Sequence, residues 1–94
     1  MHPFEKYIVG KIAKLGDKPG KIAKSLKRLG YRGELDSIDS NPLAIYLSDM
    51  CPYGAHIDVY KDNTEIDQLE IIHSKAVSRF LVMFNREQYP DLIV

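Results

Sequence analysis

The sequence predicts a small, mostly helical α+β domain with the element order α-α-α-β-β-α. Three observations predict it. Apolar residues recur at the 3.6-residue helical period through the first half of the chain and again near its end. Between those stretches, Ala55 to Tyr60 alternates apolar with polar residues, the two-residue period of a strand. The 94 residues are 45% apolar and 28% charged, enough for one modest core. A single domain spanning residues 1–94 is therefore expected, and disordered, collagen-like and disulfide-framework readings fall away.

The first helix is expected from Pro3 to Leu15. Proline suits a first helical turn, Phe4, Tyr7, Ile8, Ile12 and Leu15 keep the helical period, and Gly16 is a stop. The second starts near Asp17 to Pro19, with Asp17 as N-cap, and runs to Leu29 before Gly30. Ile22, Ala23, Leu26 and Leu29 form its apolar stripe. So short a connection predicts an N-terminal antiparallel helical hairpin. Tyr31 to Asp39 reads as loop, with Leu35 and Ile38 tucked inward. Ser40 or Asn41 caps a third helix that has Pro42 in its first turn. Leu43, Tyr46, Leu47 and Met50 are its buried face, and Pro52 ends it.

Lys61 to Thr64 is a turn signal after the alternating segment, and Glu65 to Ile72 is the return strand of one β-hairpin. Leu69 and Ile71 share a face there, whereas Ile66 and Ile72 have the opposite parity. A lone hairpin is marginal in water and needs helical cover. Ser74 caps a last helix to about Arg86, with Ala76, Val77, Phe80, Leu81 and Phe84 inward. The tail, Tyr89 to Val94, packs back onto the domain or onto a partner. Val82 stands off the apolar face and, with Leu92, Ile93 and Val94, makes a candidate contact patch.

The formal net charge is zero, but its distribution is not even. Residues 1–32 hold nine basic and two acidic side chains, giving +7; the remainder holds four and eleven, giving −7. At 100° per residue, Lys21, Lys24 and Arg28 fall together on the second helix, opposite its apolar stripe. Lys18 and Lys27 flank them, and Lys14 and Arg32 lie at either end of the hairpin. These seven residues are the candidate partner-binding surface. Such a stripe suits an acidic protein surface, or phosphates with counterion release. Its lysine-rich make-up lacks the Arg, Asn and Gln that read base edges. The acidic remainder, including Glu34, Asp36, Asp39, Asp58, Glu65 and Glu70, could attract a basic protein or the basic hairpin of a second copy.

Gly20 to Leu26 resembles the first half of a helix-turn-helix, but a long loop follows where a tight turn is required. Cys51 with His56 and Asp58 has the residue types of a cysteine nucleophile, base and orienting carboxylate. No family signature surrounds them, and a lone cysteine at a helix end reads as a small buried hydrophobe. His2, His56, His73 and Cys51 have no metal-ligand spacing, and neither a calcium loop nor a phosphate loop is present. No catalytic, cofactor or metal site is therefore assigned. One cysteine, no apolar leader and no long apolar run fit a cytoplasmic protein without a membrane partner.

Asn41-Pro42-Leu43-Ala44-Ile45-Tyr46-Leu47, then Ala76-Val77-Ser78-Arg79-Phe80 with Phe84 and Tyr89-Pro90-Asp91-Leu92, resembles a group of small uncharacterised bacterial proteins. There a Cys-Pro-Leu-Ala-x-Tyr-Leu helix precedes a short β segment and a final helix ending in Tyr-Pro-x-Leu. Ile22-Ala23, Leu26, Gly30 and Gly33 are similar to the segment before it. Asn41 stands where that group has cysteine. The resemblance covers most of the chain from Lys18 onward and implies an intact small domain, with no activity attached.

The sequence thus points to a non-enzymatic binding or regulatory domain acting through protein–protein contacts on a charge-polarised surface. The alternatives are nucleic-acid binding by the same basic residues and, third, a cysteine-dependent enzyme.

Overall fold

Among the described residues, the elements are α1 (Pro3–Ala13), α2 (Pro19–Leu29), α3 (Pro42–Met50), β1 (Ile57–Val59), β2 (Asn63–Ile66), β3 (Leu69–Ile72) and α4 (Lys75–Asn85). A 3-10 turn at Pro90–Leu92 closes the chain. The computed structural model describes residues 3–51 and 54–94. The expected stop at Pro52 lies outside them, as does His2, which the sequence leaves without metal-ligand spacing. The class is α+β, as the periodicities predict.

The sheet has three strands where one hairpin was expected. Strand order is β1-β2-β3, antiparallel throughout. The segment read as one return strand folds on itself at Asp67-Gln68, because Ile66 pairs with Leu69. Asp67 takes a φ of 53°, a left-handed conformation that a short polar side chain tolerates. This turn explains the conflicting parity: Ile66 and Ile71 point into the core, and Ile72 is 71% exposed. Cross-strand rows Ile57–Ile66–Leu69 and Val59–Thr64–Ile71 face inward, and Asp58–Glu65–Glu70 faces outward.

Asn41 caps α3 as its side chain predicts, and Pro42 occupies the first turn. Its Oδ1 accepts the Ala44 N–H at 2.9 Å. Its Nδ2 donates to Ser37 O at 2.8 Å and Val59 O at 3.2 Å, so one buried amide ties the loop, α3 and β1 together. Ser74 caps α4 through the Val77 N–H.

Two details of the N-terminal region differ from expectation. Lys18, not Asp17, holds the N-cap position of α2 and makes no side-chain cap bond; Asp17 pairs with Lys21 instead. α1 and α2 do follow each other through a tight turn at Gly16, whose φ is 134°. A Cβ there would lie 2.6 Å from Lys21 Cβ, so glycine is required. Ser25 Oγ ties α2 to this turn by donating to Leu15 O at 2.7 Å. The helices nevertheless find their main partners elsewhere: α1 lies on α3 and β3, and α2 on α4, α3 and the C-terminal turn. The physical reason is the bulk of α4, whose Phe80 and Phe84 are the largest fully buried side chains. The α2 stripe of Ile22, Ala23 and Leu26 is buried on that side.

The tail packs back on its own domain. Gly33 N–H donates to Leu92 O at 2.8 Å and Val94 N–H donates to Gly33 O at 3.0 Å, forming a parallel bridge. A Cβ on Gly33 would collide with the backbone of Ser40, Asn41 and Pro42. Leu92 is buried and Ile93 packs against the core, so of the expected contact patch only Val94 remains well exposed. Leu29 and Ile38 are also corrections: both lie outside, at 51% and 41% exposure. Leu29 is the last residue of α2, beside the αL Gly30 that ends the helix, and Ile38 belongs to a loop whose Leu35 is the inward residue. No helix among the described residues is long and apolar enough to cross a membrane.

Candidate protein-binding face on α2

The buried stripe of α2 fixes which residues point outward. With Ile22, Ala23 and Leu26 inside, Lys21, Lys24 and Arg28 project from the opposite side, Lys27 flanks them on the side of the tail, and all four are exposed. Lys18 at the N-cap position and Lys14 and Arg32 beyond the two ends are exposed as well. The structure thus brings the seven predicted residues to one helix and its flanks.

Two of the seven are partly neutralised. Lys21 Nζ lies 3.5 Å from Asp17 Oδ1, and Lys27 Nζ lies 2.8 Å from Asp91 Oδ2. Both pairs are solvent-exposed, so each is a weak tether that another carboxylate can displace. The hydrogen bond from Lys27, then its charge and that of Arg32, hold the Asp91 carboxyl below its usual range. Lys14, Lys18, Lys24 and Arg28 form no ion pair among the described residues.

Beside this face runs a feature that sequence reasoning missed. Where the tail returns along α2, a groove of about 310 Å³ opens between Gly20, Ala23, Lys24 and Lys27 on one wall and Gln88 to Leu92 on the other. Its floor is apolar and its rim carries two lysines. The signal available in the sequence was the amphipathic tail Tyr89-Pro90-Asp91-Leu92, but periodicity does not say which helix a tail returns to. Tyr89 anchors that wall by stacking on Phe80, centroids 5.6 Å apart. An apolar slot with cations at its edge accepts one aliphatic or aromatic side chain flanked by carboxylates.

The other sequence candidates are arranged differently. Cys51 is buried at the end of α3, and burial, then the charge of Asp67, pushes its thiol up. A nucleophilic cysteine needs the opposite shift. His56 Nε2 lies 3.1 Å from Asp58 Oδ2, on the exposed side of the sheet. Among the described residues no group of three or more His, Cys, Asp or Glu is placed to hold a metal ion. Comparison with protein-family models, with curated proteins and with solved structures finds no match. The functional reading therefore rests on the chain's own geometry.

Proposed function

We propose that this chain is a protein-binding domain, without catalytic chemistry of its own, that captures an acidic partner on the outward face of α2. The observation that carries the reading is the coincidence of unpaired cations with an apolar groove. Lys18, Lys24 and Arg28 supply long-range attraction and register. The groove beside them supplies short-range burial of an apolar side chain. That groove favours protein over duplex nucleic acid, whose outer surface is charged phosphate and sugar with nothing to place on an apolar floor.

The test is capture from the native host's lysate with wild type and with the triple variant K21E/K24E/R28E, before and after nuclease treatment. Wild type should retain a protein that the triple variant loses, and nuclease should leave the retention unchanged. Equal retention by both chains would refute the reading. Retention abolished by nuclease would transfer the face to nucleic acid.

A further inference from the structure

The most exposed large apolar side chain within any strand or helix is Ile72, at 71%. It lies on the outer face of β3, with Glu70 two residues before it on the same side. Across the sheet, Glu70 stands opposite Glu65 and Glu65 opposite Asp58, so three carboxylates lie in one row. Like charges directly opposite each other disfavour the sheet that holds them. Asp58 is met by His56, and Glu70 accepts a hydrogen bond from Asn63 Nδ2 at 3.0 Å. The Glu65 side chain has no hydrogen bond or ion pair among the described residues. The outer face of the sheet is therefore an apolar knob bordered by carboxylates short of cations.

The groove on α2 complements it: an apolar slot whose rim carries Lys24, which has no ion pair among the described residues, and Lys27, held only by the exposed Asp91. We propose that the occupant of that groove is the sheet face of a second copy of this chain, with Ile72 seated between Ala23 and Pro90 and with Glu65 and Glu70 meeting Lys24 and Arg28. This deepens the function proposed above and rests on it. Within one chain the two faces do not satisfy each other: α2 packs on α4, α3 and the C-terminal turn, and the sheet packs on α3 and α1. The chain's formal net charge is zero, so no overall repulsion opposes the approach of two copies. The two faces differ, so the contact is head-to-tail, and each added copy leaves one of each face free. Association should then continue past the dimer as concentration rises, unless a ring closes.

The experiment is sedimentation of the full chain from micromolar to millimolar concentration, at about 20 mM and about 500 mM salt, conditions that span weak and strong screening of surface charge. Four chains are compared: wild type, K24E/R28E, E65K/E70K, and Ile72→Ser, each first checked by circular dichroism. The wild-type mean mass should rise with concentration at low salt and return to the monomer at high salt. K24E/R28E and E65K/E70K should each stay monomeric alone and associate when mixed, because the mixture restores one native pairing. Ile72→Ser should weaken association several-fold at unchanged charge. If a reversal variant does not fold, the neutral pair K24Q/R28Q or E65Q/E70Q replaces it and should weaken association in the same direction. A wild-type chain that stays monomeric at millimolar concentration and low salt overturns the proposal, as do reversal variants that remain apart on mixing. A monomeric wild type that still captures a different acidic protein through Lys24 and Arg28 overturns this inference and leaves the proposed function standing.

Discussion

His73 is the side chain whose chemistry is most tightly constrained. Its Nδ1 lies 3.0 Å from Lys61 O, a group that only accepts, so Nδ1 carries the proton. Its Nε2, 2.6 Å from Thr64 Oγ1, then accepts the threonine hydroxyl. Thr64 is fully buried and has this imidazole as its side-chain partner. The neutral ring is thus satisfied at both nitrogens and ties the β1–β2 turn to the end of β3. Burial is the main influence lowering the His73 pKa below 6.5; the Lys61 carbonyl and the charge of Asp62 oppose it. With the native pKa depressed, the unfolded chain binds more protons between the two values. Stability from this residue is therefore present above pH 6.5 and is lost as pH falls from there through the lowered native value. Urea unfolding of wild type and H73Q at about pH 8 and about pH 5 should show the wild-type advantage shrinking at the acid end. An advantage independent of pH would contradict this. Gly33 is constrained by space instead. Gly33→Ala should cost about 1–3 kcal/mol, the usual range for overpacking, and should expose the C-terminal residues to carboxypeptidase in the folded state. Unchanged protease resistance would mean that the tail is held by other contacts.

At the scale of elements, the start of α3 depends on a single amide. Asn41→Ala removes a helix cap and takes the side-chain donor from the half-buried Ser37 carbonyl and the buried Val59 carbonyl. The combined loss should exceed about 2 kcal/mol. For a domain of this size that is a fall in Tm of at least roughly 8 °C. Asn41→Ser keeps a capping oxygen and should recover only part of it, because it does not replace both Nδ2 bonds. A melting series that ranks serine equal to asparagine would refute the amide's second role. This element was legible in the sequence because its signals are local: a capping residue, a proline and an apolar period. The β2–β3 turn was not, because Asp67-Gln68 lacks the Asn-Gly or Asp-Gly pair that marks a two-residue hairpin. Its trace was the parity conflict between Ile66 and Ile71, which the chain reversal resolves by turning both inward. Leu29 failed for a different reason: periodicity assigns a residue to a face, but does not say how far along the helix that face stays covered, and Leu29 is its last residue.

At the scale of the whole molecule, the zero net charge separates into a basic helix and an acidic sheet carried by elements that pack on different neighbours. The cationic half of the candidate site was legible because helical spacing alone places Lys21, Lys24 and Arg28 opposite the buried stripe. The groove was not, because it forms between α2 and a tail more than sixty residues away in sequence. Phe80 links the two: it lies fully buried on α4, against which α2 packs, and stacks on Tyr89. Phe80→Ala should therefore destabilise the domain by about 3–5 kcal/mol and disorder the groove with it. The central claim is that the outward face of α2 is where a protein partner sits. It is tested most directly by placing a photo-crosslinking amino acid at position 24, and separately at the exposed Arg79 on α4, and irradiating each chain in host lysate or at high concentration. A discrete crosslinked protein, the chain itself or another, from position 24 and none from position 79 is the result expected. Crosslinks to nucleic acid, equal products from both positions, or none from position 24 would contradict it.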